Sequence, residues 1–257
     1  MEIQDIVAIV TGGASGLGEA TVNLLVENGA KAAILDMNED KGQALVEKLG
    51  SDNVIFVKTN VSSESEAQYA INQAVEQFGY VNALVNCAGI TSPKKVLNRE
   101  NKANSLDSFN KEIQVNLVGT YNMIRLAVEK MATNTPNEDG ERGVIVNTAS
   151  VAAFDGQIGQ PGYSASKGGI TAMTLPIARE LARQGIRVMT IAPGLFLTPM
   201  AAGATEEQKQ ALESMIPFPK RFGKASEYAK LVQSIIEIPM LNGETIRLDG
   251  AIRMQPK

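Results

Sequence analysis

The sequence predicts an α/β domain with a doubly wound sheet of seven parallel strands. Seven short apolar runs, many of them β-branched, alternate along the chain with longer amphipathic segments of helical length. Near-continuous apolar strands separated by amphipathic helices are typical of a parallel sheet that helices cover on both faces. The predicted strands span residues 6–10, 32–35, 54–57, 83–86, 144–147, 186–191 and 245–248.

Helices are predicted between these strands, and nothing in the sequence divides the chain. The helical segments span residues 18–27, 39–49, 64–78, 108–131, 163–183 and 226–237. The 257 residues contain no Pro- or Ser-rich linker, low-complexity tract or internal repeat, and α/β folds of this length often form one unit. We therefore predict a single domain over residues 1–257, with ligands beyond the carboxyl ends of the strands.

Composition and charge argue against nucleic acid or a membrane as partner. The net charge is −4, and no cluster of Lys and Arg dominates a helix face, so no nucleic-acid surface is expected. No run of 18 apolar residues occurs, so no membrane-spanning segment is expected. The first predicted strand begins at residue 6, which leaves no room for a cleaved leader, and we expect a cytoplasmic protein.

The histidine and cysteine counts restrict the chemistry. The chain has no histidine and one cysteine, Cys87, so neither an internal disulfide nor a cysteine-based zinc site is expected, and we predict no metal site. Histidine is the usual general base near neutral pH. Acid–base chemistry must therefore use Asp, Glu, Lys, Tyr or Cys87. We expect Cys87 to be a small buried residue rather than a reactive thiol.

A glycine-rich loop follows the first predicted strand and opens a helix. Gly12, Gly16 and Gly18 give the spacing GxxxGxG, with Ser15 and Leu17 between them. Glycines at such a turn let the backbone approach a pyrophosphate, and the helix amino terminus offers N–H groups and partial positive charge. We predict that these five residues bind a dinucleotide, with a purely structural glycine turn as the alternative.

An acidic residue ends the second predicted strand. Asp36 lies 18 residues after Gly18, close to the offset expected for a carboxylate that accepts hydrogen bonds from ribose hydroxyls. Its neighbours Gly13 and Met37 are not basic, so a 2′-phosphate would face Asp36 without a counter-charge, and NAD is favoured over NADP. Lys41 is the nearest base that weakens this inference, and a turn or helix-capping aspartate is the alternative.

Polar or small residues follow three further strands, and each group is predicted to contact one part of the cofactor. The adenine end is assigned to Asn60 and Val61. The ribose is assigned to Cys87, Ala88 and Gly89. The nicotinamide amide is assigned to Pro193, Phe196 and Thr198.

A tyrosine and a lysine four residues apart form the candidate catalytic pair. Tyr163 and Lys167 share one face of a predicted helix. An ammonium beside a phenol lowers its pKa, so this tyrosine is predicted to exchange a proton with a substrate alcohol near neutral pH. Ser150, at the end of the fifth strand, is placed to bind the same oxygen, and Asn116 is a polar residue in an apolar helix that needs a specific partner. A surface Tyr–Lys pair is the alternative.

Six motifs along the chain, taken together, resemble one enzyme family. They are TGGASGLG at 11–18, NCAG at 86–89, VNLVGT at 115–120, NTASVAAF at 147–154, YSASK at 163–167 and APGLFLTP at 192–199. This set resembles the short-chain dehydrogenase/reductase family over nearly the whole chain. The resemblance implies a Rossmann-type fold with seven strands.

The resemblance also implies a catalytic tetrad. Ser150 would position the substrate oxygen and Tyr163 would act as acid or base. Lys167 would lower the pKa of Tyr163 and bind the nicotinamide ribose, and Asn116 would hold a water of the proton relay. Two residues depart from the family pattern, which has Asp at the position of Asn60 and Asn at that of Cys87. Asn60 keeps an acceptor oxygen, so we still expect it to contact the adenine.

A narrower resemblance, over residues 159–200, 226–256 and the enlarged segment 90–105, is to family members that oxidise 3-hydroxyacyl-CoA. It implies an NAD-dependent homotetramer that acts on acyl-CoA. Steroid oxidation and 3-oxoacyl-carrier-protein reduction are alternatives, although Asp36 argues against an NADPH-dependent reductase. A dinucleotide-binding scaffold without turnover is a third alternative, against which Ser150, Tyr163 and Lys167 argue together.

Two long stretches are predicted to lack regular structure. Residues 90–105 carry four basic residues against one acid, and we expect them either to be disordered or to meet the CoA phosphates. Residues 195–223 are predicted to form a mobile substrate lid. Its predicted apolar contacts, which ordinary core residues would also explain, are Phe196, Leu197, Met200 and Met215.

Overall fold

The computed structural model describes residues 1–198 and 205–256 and contains one sheet of seven parallel strands. The strand order is β3-β2-β1-β4-β5-β6-β7, and every neighbouring pair is parallel. This confirms the predicted doubly wound fold. The strands are β1 (Val7–Thr11), β2 (Lys31–Asp36), β3 (Val54–Lys58), β4 (Ala83–Asn86), β5 (Gly143–Thr148), β6 (Ile186–Pro193) and β7 (Thr245–Leu248).

Helices connect the strands, and none of those described is long and apolar enough to cross a membrane. They are α1 (Gly16–Glu27), α2 (Glu39–Leu49), α3 (Glu64–Phe78), α4 (Asp107–Glu112), α5 (Gly119–Met131), α6 (Pro161–Leu181), α7 (Glu206–Ser214) and α8 (Ala225–Glu237). Six of the helical segments were predicted from the periodicity, in most cases to within two residues.

Two features of the helices differ from the prediction. The segment 108–131 is helical throughout, but α4 and α5 are joined by a π-helical turn, Ile113–Val118, which periodicity does not reveal. Helix α7 lies in a stretch that was predicted to be irregular. The prediction missed this helix because its sequence is mostly polar and shows no apolar periodicity. A capping box between Thr205 and Gln208 starts it, and that pattern is readable in the sequence.

The sheet separates two hydrophobic cores. Alternate strand residues point to opposite faces, so that Ala8 and Val10 join one core while Val7 and Ile9 join the other. The first core packs against α1 and α8, and the second against α3, α5 and α6. Because helices cover both faces, the carboxyl ends of the strands remain as the edge at which a ligand can enter.

Candidate active site

A cavity of about 920 Å³ opens at the carboxyl ends of the strands. Loops that follow β1 through β6 all contribute to its wall. The structure brings together every predicted site residue except Asn116, which lies behind the wall. The predicted residues that line the cavity are Gly12, Ser15, Gly16, Leu17, Gly18, Asp36, Asn60, Val61, Cys87, Ala88, Gly89, Ser150, Tyr163, Lys167, Pro193, Phe196 and Thr198.

The glycine loop is shaped by contacts within the protein. Gly12 has φ +62°, and a β-carbon there would lie 2.8 Å from the backbone nitrogen of Ala88. A β-carbon at Gly18 would overlap the Gly12 carbonyl, so α1 can sit this close to the loop only with glycine. Packing within the protein therefore explains both glycines, as expected if the turn were purely structural. The same turn also directs the start of α1 at the cavity.

The amino terminus of α1 keeps polar groups available to a ligand. Ser15 occupies the N-cap position, but its side chain makes no capping hydrogen bond. The free N–H groups of a helix start and an uncommitted hydroxyl form a suitable site for an anion. With Asp36 on the same cavity wall, these residues fit a dinucleotide, whose phosphates would lie at α1 and whose ribose would lie at Asp36.

Asp36 fastens the glycine loop to the end of β2. One carboxylate oxygen accepts from the Ala14 N–H at 3.1 Å, and the other accepts from the Asn38 N–H at 3.0 Å. The turn alternative is thus correct, and the carboxylate also borders the cavity. The neighbouring strand carries Lys58, whose ammonium forms an ion pair with Glu39 at 3.3 Å. This lysine is therefore paired with Glu39 and not with Asp36.

The side-chain oxygen of Asn60 accepts hydrogen bonds within its own loop. Its Oδ1 accepts from the Ser62 N–H at 3.1 Å and from the Ser62 hydroxyl at 2.7 Å. Its backbone N–H donates to Glu66 at 2.8 Å. The loop after β3 thus already uses this oxygen, and the predicted adenine contact of Asn60 stays a prediction.

Tyr163 and Lys167 lie one turn apart near the start of α6. The Lys167 ammonium is 5.9 Å from the centre of the Tyr163 ring and donates to the Thr148 carbonyl at 2.7 Å. Lys167 is only 4% exposed, and burial lowers its pKa to about 8. A β-carbon at Gly89 would lie 3.3 Å from this ammonium, so the small residue at 89 keeps the lysine reachable from the cavity.

The net effect of the protein's own groups is to raise the pKa of Tyr163. Burial raises it first, the charge of Glu112 raises it further, and a hydrogen bond with Ser150 opposes both. In the protein without cofactor, desolvation of the phenolate is thus the largest influence on this pKa. A lower pKa in the presence of an oxidised, positively charged nicotinamide remains a prediction.

Asn116 lies inside the π-helical turn and is fully buried. Its amide nitrogen donates to the Ile90 carbonyl at 2.9 Å and to the Ser166 hydroxyl at 3.0 Å, and its oxygen accepts from the Ile90 N–H at 2.8 Å. This confirms that the buried amide has specific partners. Asn116 ties the segment after β4 to α6, while its predicted role in holding a water stays a prediction.

Sequence reasoning missed a buried polar group that supports the lysine. The Tyr228 hydroxyl lies 2.7 Å from the Thr148 hydroxyl and accepts from the Cys87 thiol at 3.6 Å. Burial raises the pKa of the Cys87 thiol, which agrees with a structural rather than a nucleophilic cysteine. Nothing in the sequence signals Tyr228, because it reaches the site from α8, 141 positions after Cys87.

The predicted lid is only partly a wall of the cavity. Phe196 lines it together with Leu195, Leu212 and Phe222. Met215 instead packs in a small cluster with Val151, Ile216 and Ile252, and Leu197 is 54% exposed. The predicted contact through Met200 lies outside the described residues.

The site combines a cavity of about 920 Å³ with a buried tyrosine–lysine pair. Among the described residues, no group of three or more His, Cys, Asp or Glu side chains is placed to hold a metal ion. Ser150, Tyr163 and Lys167 meet at the wall of the cavity. That combination defines a dinucleotide-dependent oxidoreductase.

Comparison with known proteins agrees with this class. The family model described as short chain dehydrogenase matches residues 6–209, and the chain belongs to the short-chain dehydrogenase family. It is similar to 3-hydroxyacyl-CoA dehydrogenase type-2 of Mus musculus, with 54% identity over 255 residues, which cover 99% of this chain and 97% of that protein. The protein is therefore an oxidoreductase.

Two solved structures are similar along their whole length. The 3-hydroxyacyl-CoA dehydrogenase type-2 of Mycobacterium avium has a TM-score of 0.95 and 41% identity, over 99% of this chain and 98% of that one. The 3-ketoacyl-(acyl-carrier-protein) reductase of Brucella melitensis, complexed with NADH, has a TM-score of 0.86 and 28% identity, over 97% of this chain and 99% of that one.

Proposed function

We propose that the chain is an NAD-dependent 3-hydroxyacyl-CoA dehydrogenase, which reversibly oxidises the 3-hydroxyl of an acyl-CoA to a ketone. The observation that carries the proposal is the convergence of Ser150, Tyr163 and Lys167 on a cavity whose other end holds the glycine loop and Asp36. The relatives named 3-hydroxyacyl-CoA dehydrogenase, at 54% and 41% identity, support the substrate class.

The residues divide between cofactor and substrate. Gly12, Gly16 and Gly18 would hold the phosphates at the start of α1, and Asp36 would accept from the ribose hydroxyls. At the other end, Pro193 and Thr198 would hold the nicotinamide amide. Bound NAD supplies the acceptor for the hydride that leaves C3 of the substrate.

The proton takes a separate route from the hydride. Ser150 holds the substrate oxygen, and the O–H proton passes to the Tyr163 oxygen as the C–O bond becomes a carbonyl. Lys167 stabilises the phenolate by its charge and reaches the ribose beside Gly89. In the reverse direction, Tyr163 returns the proton to the alcohol oxygen.

Replacing Tyr163 by Phe tests the proton route. The variant loses the proton carrier but little volume, so kcat should fall by at least about a hundredfold, the lower end of general acid–base contributions. The affinity for NAD should stay near that of the wild type. Rates of NADH formation with a 3-hydroxyacyl-CoA and binding titrations with NAD measure the two quantities. Retention of most of kcat, with chemistry rate-limiting, would contradict the assignment.

The second candidate is reduction of 3-oxoacyl-carrier protein, which the similarity to the Brucella melitensis reductase favours. A panel of 3-hydroxyacyl-CoA thioesters, acyl-carrier-protein thioesters and hydroxysteroids, with NAD and NADP compared, separates the candidates. The proposal expects the highest kcat/KM for a CoA thioester with NAD.

A further inference from the structure

Glu112 is a buried acid that the proposed reaction does not use. It ends α4 directly before the π-helical turn and is 3% exposed. Across residues 1–198 and 205–256, no Lys or Arg forms an ion pair with it. Since an ionised carboxylate is seldom fully buried without a partner, its position needs a physical explanation.

Two backbone elements hold the Glu112 carboxylate. One oxygen accepts from the Ser92 N–H at 2.6 Å. The other lies against Gly162, where any β-carbon would overlap it. Gly162 belongs to the first turn of α6, a helix of 21 residues, and the amino terminus of a helix carries partial positive charge that stabilises an anion. The carboxylate is thus placed between a backbone donor and the start of the catalytic helix.

Glu112 and Asn116 together fasten a short segment of the cavity wall. Asn116 binds both backbone groups of Ile90, and Glu112 binds the N–H of Ser92. Ile90 and Thr91 line the cavity on the side where a substrate would lie. Two side chains four positions apart therefore hold both ends of this segment, and loss of either would loosen it.

Glu112 also acts through space on Tyr163, the residue that follows Gly162. Burial raises the pKa of Tyr163, and the charge of Glu112 raises it further, while Ser150 opposes both from the end of β5. The other charged groups nearby are Lys167 on α6 and Lys111 at the cavity wall. Asp155, which follows β5, is an ion-pair partner of Arg247, and the Cys87 thiol from β4 acts on Lys167.

We propose that Glu112 is a positioning residue that fixes the substrate side of the cavity through Ser92 and, from its place against the first turn of α6, favours the protonated form of Tyr163 until a cation binds in front of the phenol. The inference rests on the proposed role of Tyr163 in proton transfer. In this arrangement burial is the main reason why the tyrosine stays protonated at rest, and the negative charge of Glu112 adds to that effect. The positive charge of a bound oxidised nicotinamide would favour the phenolate, so that this proton would pass to bulk water and the Tyr163 oxygen could accept the proton of the substrate alcohol.

Replacement of Glu112 by Gln separates charge from shape. The amide keeps an acceptor for the Ser92 N–H but removes the negative charge. Ionisation of Tyr163 should then occur at a pH lower by at least about half a unit, a roughly threefold change in proton affinity. Glu112→Asp keeps the charge and shortens the reach to Ser92, so KM should rise while the ionisation midpoint stays. Glu47→Gln, on the exposed face of α2, is the charge-matched control.

Two readouts measure the midpoint. The chain has five tyrosines and no tryptophan, so tyrosinate absorption can be titrated without indole background, with Tyr163→Phe as the reference to subtract. The titration is made with and without saturating NAD and needs no substrate. The pH profile of kcat/KM for alcohol oxidation is the second readout. Both midpoints should move to lower pH in Glu112→Gln and stay in Glu47→Gln.

Each outcome decides a different point. Unmoved midpoints in both readouts, or a uniform loss of kcat at every pH, would overturn the inference. A displaced tyrosinate titration without turnover of CoA thioesters would support Glu112 and remove the proposed substrate. If Glu112→Gln is too unstable to titrate, Gly162→Ala replaces it, because its β-carbon must push the carboxylate away from α6. The Tyr163 midpoint should fall in that variant too, and an unchanged midpoint there would overturn the inference.

Discussion

Lys167 is held in a position that favours chemistry over stability. Its ammonium is buried, and burial lowers its pKa from 10.5 to about 8. Between about pH 8 and 10.5 the folded protein therefore binds fewer protons than the unfolded chain, so the Lys167 contribution to stability becomes more favourable as the pH rises. Below pH 8 the folded state bears the full desolvation of the ammonium.

Lys167→Met should accordingly raise the free energy of unfolding at pH 7 while abolishing activity. A shift of this size corresponds to about 3 kcal/mol, from which the lost hydrogen bond to Thr148 subtracts about 1–2 kcal/mol. The gain should shrink as the pH rises from 8 toward 10.5, where the wild-type lysine is neutral as well. Urea unfolding at several pH values measures it, with the exposed Lys230→Met as control. A difference that is independent of pH would refute the explanation.

Asp36 is predicted to set cofactor choice. We expect the wild type to prefer NAD over NADP by at least about tenfold in kcat/KM, roughly 1.4 kcal/mol, because a 2′-phosphate would face this carboxylate. Asp36→Ala should erode the preference, and it should also loosen the loop that Asp36 holds through Ala14. Asp36→Asn keeps the acceptor without the charge and isolates the electrostatic part. Equal use of both cofactors by the wild type would refute the assignment.

For single residues, the sequence predicted which side chains line the cavity, but it did not predict their hydrogen-bond partners or pKa values. Glycine spacing, strand ends and the Tyr–Lys interval correctly placed Gly12, Asp36 and Tyr163 around one cavity. The same arguments could not show that Ser62 occupies the Asn60 oxygen, or that desolvation governs the pKa of Tyr163. Such effects depend on tertiary neighbours, which a local pattern does not contain.

The segment after β4 is ordered rather than disordered. Leu97 pairs with Ala103 in an antiparallel bridge, and the Lys94 N–H donates to the Gly159 carbonyl at 2.7 Å, beside the loop that precedes α6. Lys102 is paired with Glu100 at 3.0 Å, whereas Lys94 and Lys95 are exposed. A short basic hairpin therefore follows Ile90 and Thr91, which line the cavity.

This hairpin is predicted to bind the CoA phosphates. Lys94→Glu combined with Lys95→Glu should raise KM for CoA thioesters about tenfold or more, with a smaller effect at high salt, because exposed charges are screened. The kinetics of a hydroxysteroid, which carries no phosphate, should change little. Lys48→Glu with Lys230→Glu is the charge-matched control on distant helices. Equal effects on both substrate types would count against a phosphate contact.

Element boundaries were the most accessible level of prediction. Apolar periodicity located all seven strands because each must cross a buried sheet. It did not locate the π-helical turn, whose extra backbone residue places Asn116 against Ile90. Closure of the lid on substrate also remains a prediction, since periodicity says nothing about motion.

A homotetramer is predicted for the whole molecule, on the basis of the family resemblance. Helices α4 and α5 and the π-helical turn between them expose apolar side chains that include Phe109, Val118 and Tyr121, of which Tyr121 is 53% exposed. A second copy of the chain would cover such side chains. Tyr121→Glu should reduce the sedimenting mass from four chains to two or one, and Tyr69→Glu, equally exposed on α3, should not. A wild-type monomer would refute the prediction.

The cytoplasmic location also stays a prediction, which cell fractionation can test.

The support of Lys167 from α8 has a consequence for protein engineering. Tyr228 is fully buried in the layer opposite to α6, where a core-redesign procedure would treat it as an aromatic filler and accept Phe. Its hydroxyl, however, anchors Thr148, whose carbonyl receives the lysine on the other side of the sheet. A thermostabilised variant repacked along α1 and α8 can therefore keep its melting temperature and lose its turnover. A screen that measures only folding would not detect this loss of turnover.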